Sequence, residues 1–335
     1  MTHRASVTVA GVDCGTNSIR LMVAQVDEQG LHPLRPRLMR VVRLGEGVDR
    51  NHRFSQGALE RTFAAAREFA QVLGEYQVDA LRFVATSASR DASNRAEFEA
   101  GIHEILGVEP QVIAGTQEAQ LSFLGAVSVL EQEQGQDVPA APYLVVDLGG
   151  GSTELVAGAD GLSGPVDQVQ AAYSMNIGSV RMTERHLRSD PPTAHEIEQA
   201  QADIDEHITQ AFQAVPVDQV RTLIGVSGTV TTMSAIALGL DHYERQAVDG
   251  ARIALEDAQA ANRRVLQMSR QERAGLGAIH PGRIDVIGGG ALVWSRLLER
   301  LRAAAPSLQG GYVASEHGLL DGLVLSLGRD LLAGE

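Results

Sequence analysis

The chain has 335 residues, 44% of them hydrophobic, which suffices for two domains with packed cores and is not the composition of a disordered chain. Its formal charge of −14 disfavours nucleic acid and anionic membranes as partners, because both attract positively charged surfaces. All 28 basic residues are arginine, which excludes a Walker A loop and lysine Schiff-base chemistry and leaves arginine, histidine, backbone amides or a metal to hold an anion. Cys14 stands alone, so no intramolecular disulfide is expected and a reducing compartment fits. MTHRASVTVAG has no signal-peptide pattern, and the longest charge-free run, 222–240, carries six hydroxyls. A soluble cytoplasmic protein is the expectation.

Val7 to Asp13 reads as an apolar strand, Gly15-Thr16-Asn17-Ser18 as a turn and Ile19 to Val26 as a second strand. Leu38 to Leu44 follows as a strand, and Ser55 to Tyr76 as a long helix with Ser55 at its N-cap. Leu81 to Thr86 is a buried strand, Asn94 to Leu106 a helix, Pro110 to Ile113 a short strand and Thr116 to Leu130 a helix. The polar, then proline-containing stretch 131–142 is the linker candidate. LVVDLGGGSTELV, 144–156, then repeats the opening order of strand, Asp, glycine turn and strand. The two copies lie about 135 residues apart, a domain spacing rather than that of a short repeat.

Further on, Pro165 to Ala172 reads as a strand, Pro192 to Phe212 as a helix, and Val220 to Val226 as a strand leading into SGTVTT and a helix. Leu255 to Met268 is a helix, Pro281 to Leu301 a strand or helix interrupted by Gly288-Gly289-Gly290, and Ser315 to Leu332 a closing helix. Such alternation predicts α/β layers. The expected domains are 1–132 and 140–315, with a terminal helix, about 316–335, free to pack back on the first.

Three consecutive glycines cost ordering entropy, about 0.5–1 kcal/mol each relative to alanine, and exceed what a hairpin needs to close. The surplus points to a close approach. Backbone amides of Gly149, Gly150, Gly151 and Ser152, with Thr153 beside them, suit phosphate oxygens, and Thr16, Asn17 and Ser18 offer the same donors from the facing turn. The alternative is two ordinary hairpin turns. Asp13 and Asp147 precede the turns and suit Mg²⁺ or Mn²⁺ bound with phosphate and waters, with Glu154 able to join them; alternatively each Asp caps its own turn. Arg20 reads as paired with an acid, and His280 has no partner at metal-ligand spacing. The arginines at 35, 37, 40, 43, 50 and 53 either line the path of a polyanion or form a solvated edge.

VDCGTNSIRLMVA (12–24), VATSASRDASN (84–94), GTQEAQLSFLGA (115–126), VVDLGGGSTELV (145–156) and GVSGTVTT (225–232) together resemble the exopolyphosphatase and guanosine-pentaphosphate phosphatase (Ppx/GppA) family, in its order and in its short two-domain form. The resemblance implies two actin-like, ribonuclease H-like α/β domains with an active-site cleft between them. It implies Glu118 as general base, although a first-turn glutamate also complements a helix dipole. Gln117 stands where most members have a second acid. The resemblance implies Arg90 as a phosphate-binding arginine of the cleft. Inorganic polyphosphate is the implied substrate, with guanosine pentaphosphate (pppGpp) as the alternative and ppGpp or other nucleotides as further ligands; a homodimer is left open. A chaperone- or kinase-type ATPase and a non-catalytic polyphosphate- or alarmone-binding regulator are the rival classes.

Overall fold

The computed structural model describes residues 5–130, 139–159, 168–308 and 310–334. Residues 131–138 of the expected linker and 165–167 of an expected strand lie outside the described residues.

The alternating apolar residues at the start form β1 (Ser6–Cys14) and β2 (Ser18–Asp27), antiparallel from Ser6 opposite Asp27 to Cys14 opposite Ile19. β3 (Gly30–Pro33) and β4 (Leu38–Val41) share the far edge of β2. After α1 (Val48–Asn51) comes α2 (Gln56–Leu73), whose N-cap Ser55 accepts the Ala58 N–H at 3.2 Å as expected. β5 (Ala80–Ala85) runs parallel to β1. There follow α3 (Ser87–Asp91), α4 (Arg95–Leu106), β6 (Gln111–Val112) and α5 (Gly115–Ser128).

The second half repeats this plan. β7 (Tyr143–Leu148), β8 (Thr153–Gly158) and β9 (Val169–Met175) form an antiparallel meander. Next come α6 (Ser179–Arg185), α7 (Ala194–Ala214), β10 (Thr222–Val226) parallel to β7, and α8 (Ser227–Ala237). α9 (Arg245–Val248), β11 (Arg252–Ile253), α10 (Leu255–Gln267), α11 (Arg270–Ala274), α12 (Ile287–Ala304), β12 (Tyr312–Ala314) and α13 (Leu319–Ala333) complete the chain. The first sheet has the order β3-β2-β1-β5-β6 and the second β9-β8-β7-β10-β12, with β11 on its edge. With β4 and β11 left aside, the remaining five strands of each sheet stand in the same order, and the α/β class and the two-sheet architecture are as expected.

Two helices are exchanged between the halves. α5 buries Ala119, Phe123 and Val127 against Val145, Val156 and Ile224 of the second sheet. α13 buries Leu320, Leu323 and Val324 against Val7, Val9 and Met22 of the first. The two helices cross at glycines: a Cβ on Gly125 would lie 2.0 Å from the Gly318 carbonyl, and one on Gly322 1.9 Å from the Leu121 carbonyl. Burial of apolar surface drives this exchange, and it carries the first turn of α5 to the cleft between the sheets.

Several local expectations change. Gly288–Gly290 does not interrupt an element but opens the continuous helix α12. A Cβ at Gly289 would lie 2.4 Å from Thr183 Oγ1, and one at Gly290 2.5 Å from Thr229 Cγ2, so these glycines admit α6 and α8. The terminal helix begins at Leu319, not Ser315, because β12 and a loop precede it. β4 stops at Val41, and Arg43 turns the chain with φ 52°.

Candidate active site

The two glycine turns close identically: the Gly15 N–H donates to Ser18 O and the Gly149 N–H to Ser152 O, each at 3.0 Å. The Gly149 amide is thereby spent within its own turn. The amides of Gly150, Gly151 and Ser152 have no acceptor among the described residues. The carbonyls of Gly149 and Gly150 accept the Ser179 and Val180 N–H groups at 3.0 and 2.8 Å, docking the second turn onto the start of α6.

The turns abut one another. A Cβ on Gly151 would lie 2.4 Å from Ser87 Oγ and 2.6 Å from Thr16 Oγ1, while one on Gly150 would lie 3.0 Å from Thr16 Cβ. The close approach that the glycines serve here is therefore that of the first domain's own Thr16 and Ser87, which share a hydrogen bond of 2.9 Å. Arg181 of α6 fastens the same seam, donating to Gly151 O at 2.6 Å and to Asp91 at 2.6 Å, and pairing with Asp49 at 2.5 Å.

Between the turns lies a cavity of about 70 Å³ walled by Asp13, Thr16, Asn17, Ser18, Glu118, Asp147, Gly149, Gly150 and Ser152. Four expected residues stand outside that wall. Gly151 faces Ser87 and Thr16. The Thr153 hydroxyl donates away to Ile177 O at 2.7 Å. Glu154 is held by Ser174, whose Oγ donates to its Oε1 at 2.7 Å. Arg90, expected to open onto phosphate, instead donates through one nitrogen to Glu118 Oε2 at 2.8 Å and to Ile113 O at 2.9 Å. It backs the acid rather than facing the cavity.

Four carboxylates are thus buried together: Asp13, Glu118, Asp147 and Glu154. Glu118, only 7% exposed, has its pKa pushed up by burial to about 7; the Arg90 guanidinium opposes the rise, and Asp147 and Asp13 add to it. Burial also raises Asp147, against hydrogen bonds from Ser122 and Ser227 and the charge of Arg20. Glu154 is also raised, well above the usual carboxylate range, by burial and then by the charges of Glu118 and Asp147. Asp13 is paired: Arg20 Nε donates to its Oδ2 at 2.8 Å, the acid partner expected for Arg20.

The chemistry of this donor set fits a divalent cation. Among the described residues no group of three or more His, Cys, Asp or Glu is arranged to hold a metal by itself. Mg²⁺ needs only one or two carboxylates when phosphate oxygens and waters complete its octahedron. Asp13 and Asp147 face the cavity, and Asp13 keeps its Oδ1 outside the hydrogen bonds described. Glu154, turned to Ser174 and favoured neutral, fits that set less well.

Sequence reasoning passed over several site residues. Ser122, which donates to Asp147 Oδ2, lies four residues after Glu118 on the same helical face, a spacing that was legible. Ser227 lines the cavity in the left-handed region at φ 78°, a strain of about 1–3 kcal/mol for a non-glycine residue that no sequence pattern announces. Arg283 lines the cavity from the loop before α12. Four of the six arginines at 35–53 are tied into ion pairs: Arg35 with Glu75, Arg37 with Asp321, Arg40 with Glu68 and Arg43 with Asp285. That pairing is not what a free polyanion track would show.

Among the described residues no helix is long and apolar enough to cross a membrane. Comparison with known proteins agrees with the motifs. The profile of the Ppx/GppA phosphatase family matches residues 22–327. The chain is 43% identical to Exopolyphosphatase 2 of Mycobacterium tuberculosis over 332 residues, covering 96% of this chain and 99% of that one. It is 61% identical to a crystallised exopolyphosphatase-like protein, with a TM-score of 0.93 over 98% of this chain and 100% of the other. The PPX-GPPA enzyme of Aquifex aeolicus is 27% identical, with a TM-score of 0.76 over 96% of this chain and 99% of its own.

Proposed function

The chain belongs to the Ppx/GppA phosphatase family, and we propose that it is a cytoplasmic exopolyphosphatase, hydrolysing the terminal phosphoanhydride of inorganic polyphosphate. The strongest support is Glu118: a buried carboxylate with pKa near 7, facing a small polar cavity between two Asp-Gly turns. A general base works best when its pKa lies close to the working pH.

In this reading the terminal phosphoryl group sits among Thr16, Asn17, Ser18, Gly150 and Ser152, whose hydroxyls and amides donate to its oxygens. Glu118 orients a water and takes its proton as the water oxygen forms a bond to phosphorus. The bond from phosphorus to the bridging oxygen breaks, and its electron pair leaves with the shortened chain. Arg90 positions Glu118 and stabilises its ionised form. Asp13 and Asp147 would hold Mg²⁺ or Mn²⁺, which would neutralise charge on the phosphoryl oxygens.

A second reading has one observation behind it. A chamber of about 330 Å³ adjoins the cavity, with Tyr243, Ile279 and Pro281 among its walls, and its size and partly apolar lining suit a nucleoside. Hydrolysis of pppGpp at its 5′ end would use the same catalytic groups. Phosphate release from long-chain polyphosphate, tripolyphosphate, pppGpp and ATP, measured side by side, separates the readings. The highest kcat/KM is expected on polyphosphate. A preference for pppGpp selects the second reading, and release from none of the four overturns both.

A further inference from the structure

The inner cavity adjoins a second chamber besides the one of about 330 Å³. The new one measures about 320 Å³ and meets the cavity at Thr16, Asn17 and Val286. The first chamber meets it elsewhere, at Arg20, Asp147, Ser227, Gly228, Arg283 and Leu319. The segment 277–286 crosses the cleft between the two chambers. Its residues 277–281 and Arg283 border the first, and Asp285 and Val286 the second. On its way it is pinned to the first domain. Asn17 Nδ2 donates to Gly282 O at 3.4 Å, a Cβ on Gly282 would lie 2.7 Å from Val41 Cγ2, and Arg43 pairs with Asp285 at 2.8 Å.

The two openings differ in charge. The first chamber sets Arg20, Arg37 and Arg283 against Asp147 and Glu316, and two of those guanidinium groups stand at its opening. The second sets Arg43, Arg188 and Arg270 against Glu46, Glu184 and Asp285, three charges of each sign. Its opening presents a hydroxyl, an amide and an isopropyl group, none of them charged. A polyanion is retained where positive charge is in excess and passes where the charges cancel. Toward the solvent, the Arg188 and Arg270 side chains are exposed and make no hydrogen bond or ion pair among the described residues; only their backbone N–H groups are engaged.

At about 70 Å³ the inner cavity has room for one phosphoryl group and its water, not for a chain. After cleavage it holds orthophosphate, with the shortened chain still standing in the opening it entered by. If orthophosphate had to use that same opening, the chain would have to leave first. We propose that the chamber reached past Thr16, Asn17 and Val286 is the exit for orthophosphate, which leaves by it while the shortened chain stays in the other chamber. This assignment rests on the exopolyphosphatase reading and adds a product route to it.

The test compares phosphate formation, measured by rapid quench, with phosphate release, measured by a fluorescent phosphate sensor, on long-chain polyphosphate with Mg²⁺. Val286→Trp places an indole in the exit opening. It should form the first phosphate at close to the wild-type rate and release it about tenfold more slowly, so that release sets kcat. Intermediate chain lengths should then accumulate, because the chain must leave before the product; with the wild-type protein they should not. Release at the wild-type rate from folded Val286→Trp protein, or accumulation of intermediates by the wild type, overturns the assignment. Should Val286→Trp fail to fold or form phosphate slowly, Arg188→Glu combined with Arg270→Glu decides, since both side chains are exposed and lie outside the inner cavity. Reversing these two charges should slow release about threefold or more with formation unchanged, and salt should restore it. Unchanged release overturns the assignment. Failure of the wild-type protein to form any phosphate from polyphosphate overturns the exopolyphosphatase reading and this route with it, and is told apart because it appears before either variant is compared.

Discussion

In the first hairpin Asp13 faces Arg20 across the β1–β2 ladder, whereas in the second Asp147 faces Glu154 across β7–β8. The backbones match down to the hydrogen bond that closes each glycine turn. One cross-strand residue therefore gives equivalent turns opposite electrostatics. The Asp13 side is neutralised by a guanidinium, while the Asp147 side crowds a second acid against the first. The exchanged helix α5 brings Glu118 to the cleft, where burial first, and then the charges of Asp147 and Asp13, keep its proton affinity high against the Arg90 guanidinium. A repeated scaffold thus supplies an ion-paired carboxylate from one half and a pair of facing acids from the other.

The largest effect expected is from the metal. Chelation with EDTA should abolish phosphate release, and Mg²⁺ should restore it, because two buried aspartates beside phosphate require a cation; full activity after chelation removes Asp13 and Asp147 from that role. Glu118→Gln should lower kcat by about 10²–10⁴ with near-normal substrate affinity. The helix-dipole role alone forecasts a loss of about 0.3–1 kcal/mol in stability and a normal rate, so kinetics and melting on one variant distinguish the two.

Arg20→Gln would leave Asp13 buried and unpaired. Denaturant unfolding should show a loss near the lower end of about 3–5 kcal/mol, since Arg20 is partly exposed. A change below about 0.5 kcal/mol would mean that the hairpins do not differ as described. Gly151→Ala should cost about 1–3 kcal/mol and raise KM, because its Cβ meets Ser87 and Thr16 across the seam. The smallest effect belongs to Glu154→Gln. An acid already favoured neutral loses little on becoming an amide, so kcat should stay within about threefold of wild type. A hundredfold loss would show that the crowded side works through an ionised Glu154.

Turn chemistry is local, so the two Asp-Gly hairpins, the Ser55 cap and the first-turn position of Glu118 could be read from neighbouring residues. The contacts that decide what each residue does span far greater separations. Arg181 reaches Asp49 and Asp91 from the other half of the chain, and Arg90 meets Glu118 where α5 lies against the second sheet. Nothing near Gly288–Gly290 reveals that α6 and α8 will press against it, so a packing surface read as a break. β12, three residues long, carries too little pattern to distinguish it from the approach to α13.

The central claim, that Glu118 is a buried base tuned to neutral pH, is tested most directly by the pH dependence of wild-type kcat at saturating polyphosphate and Mg²⁺. The carboxylate must be ionised to accept the water's proton, so the rate should rise with pH, about tenfold per unit below the pKa, and level off above about 7. A kcat that stays flat from about pH 5 to 9, or that falls as pH rises through 7, would contradict it.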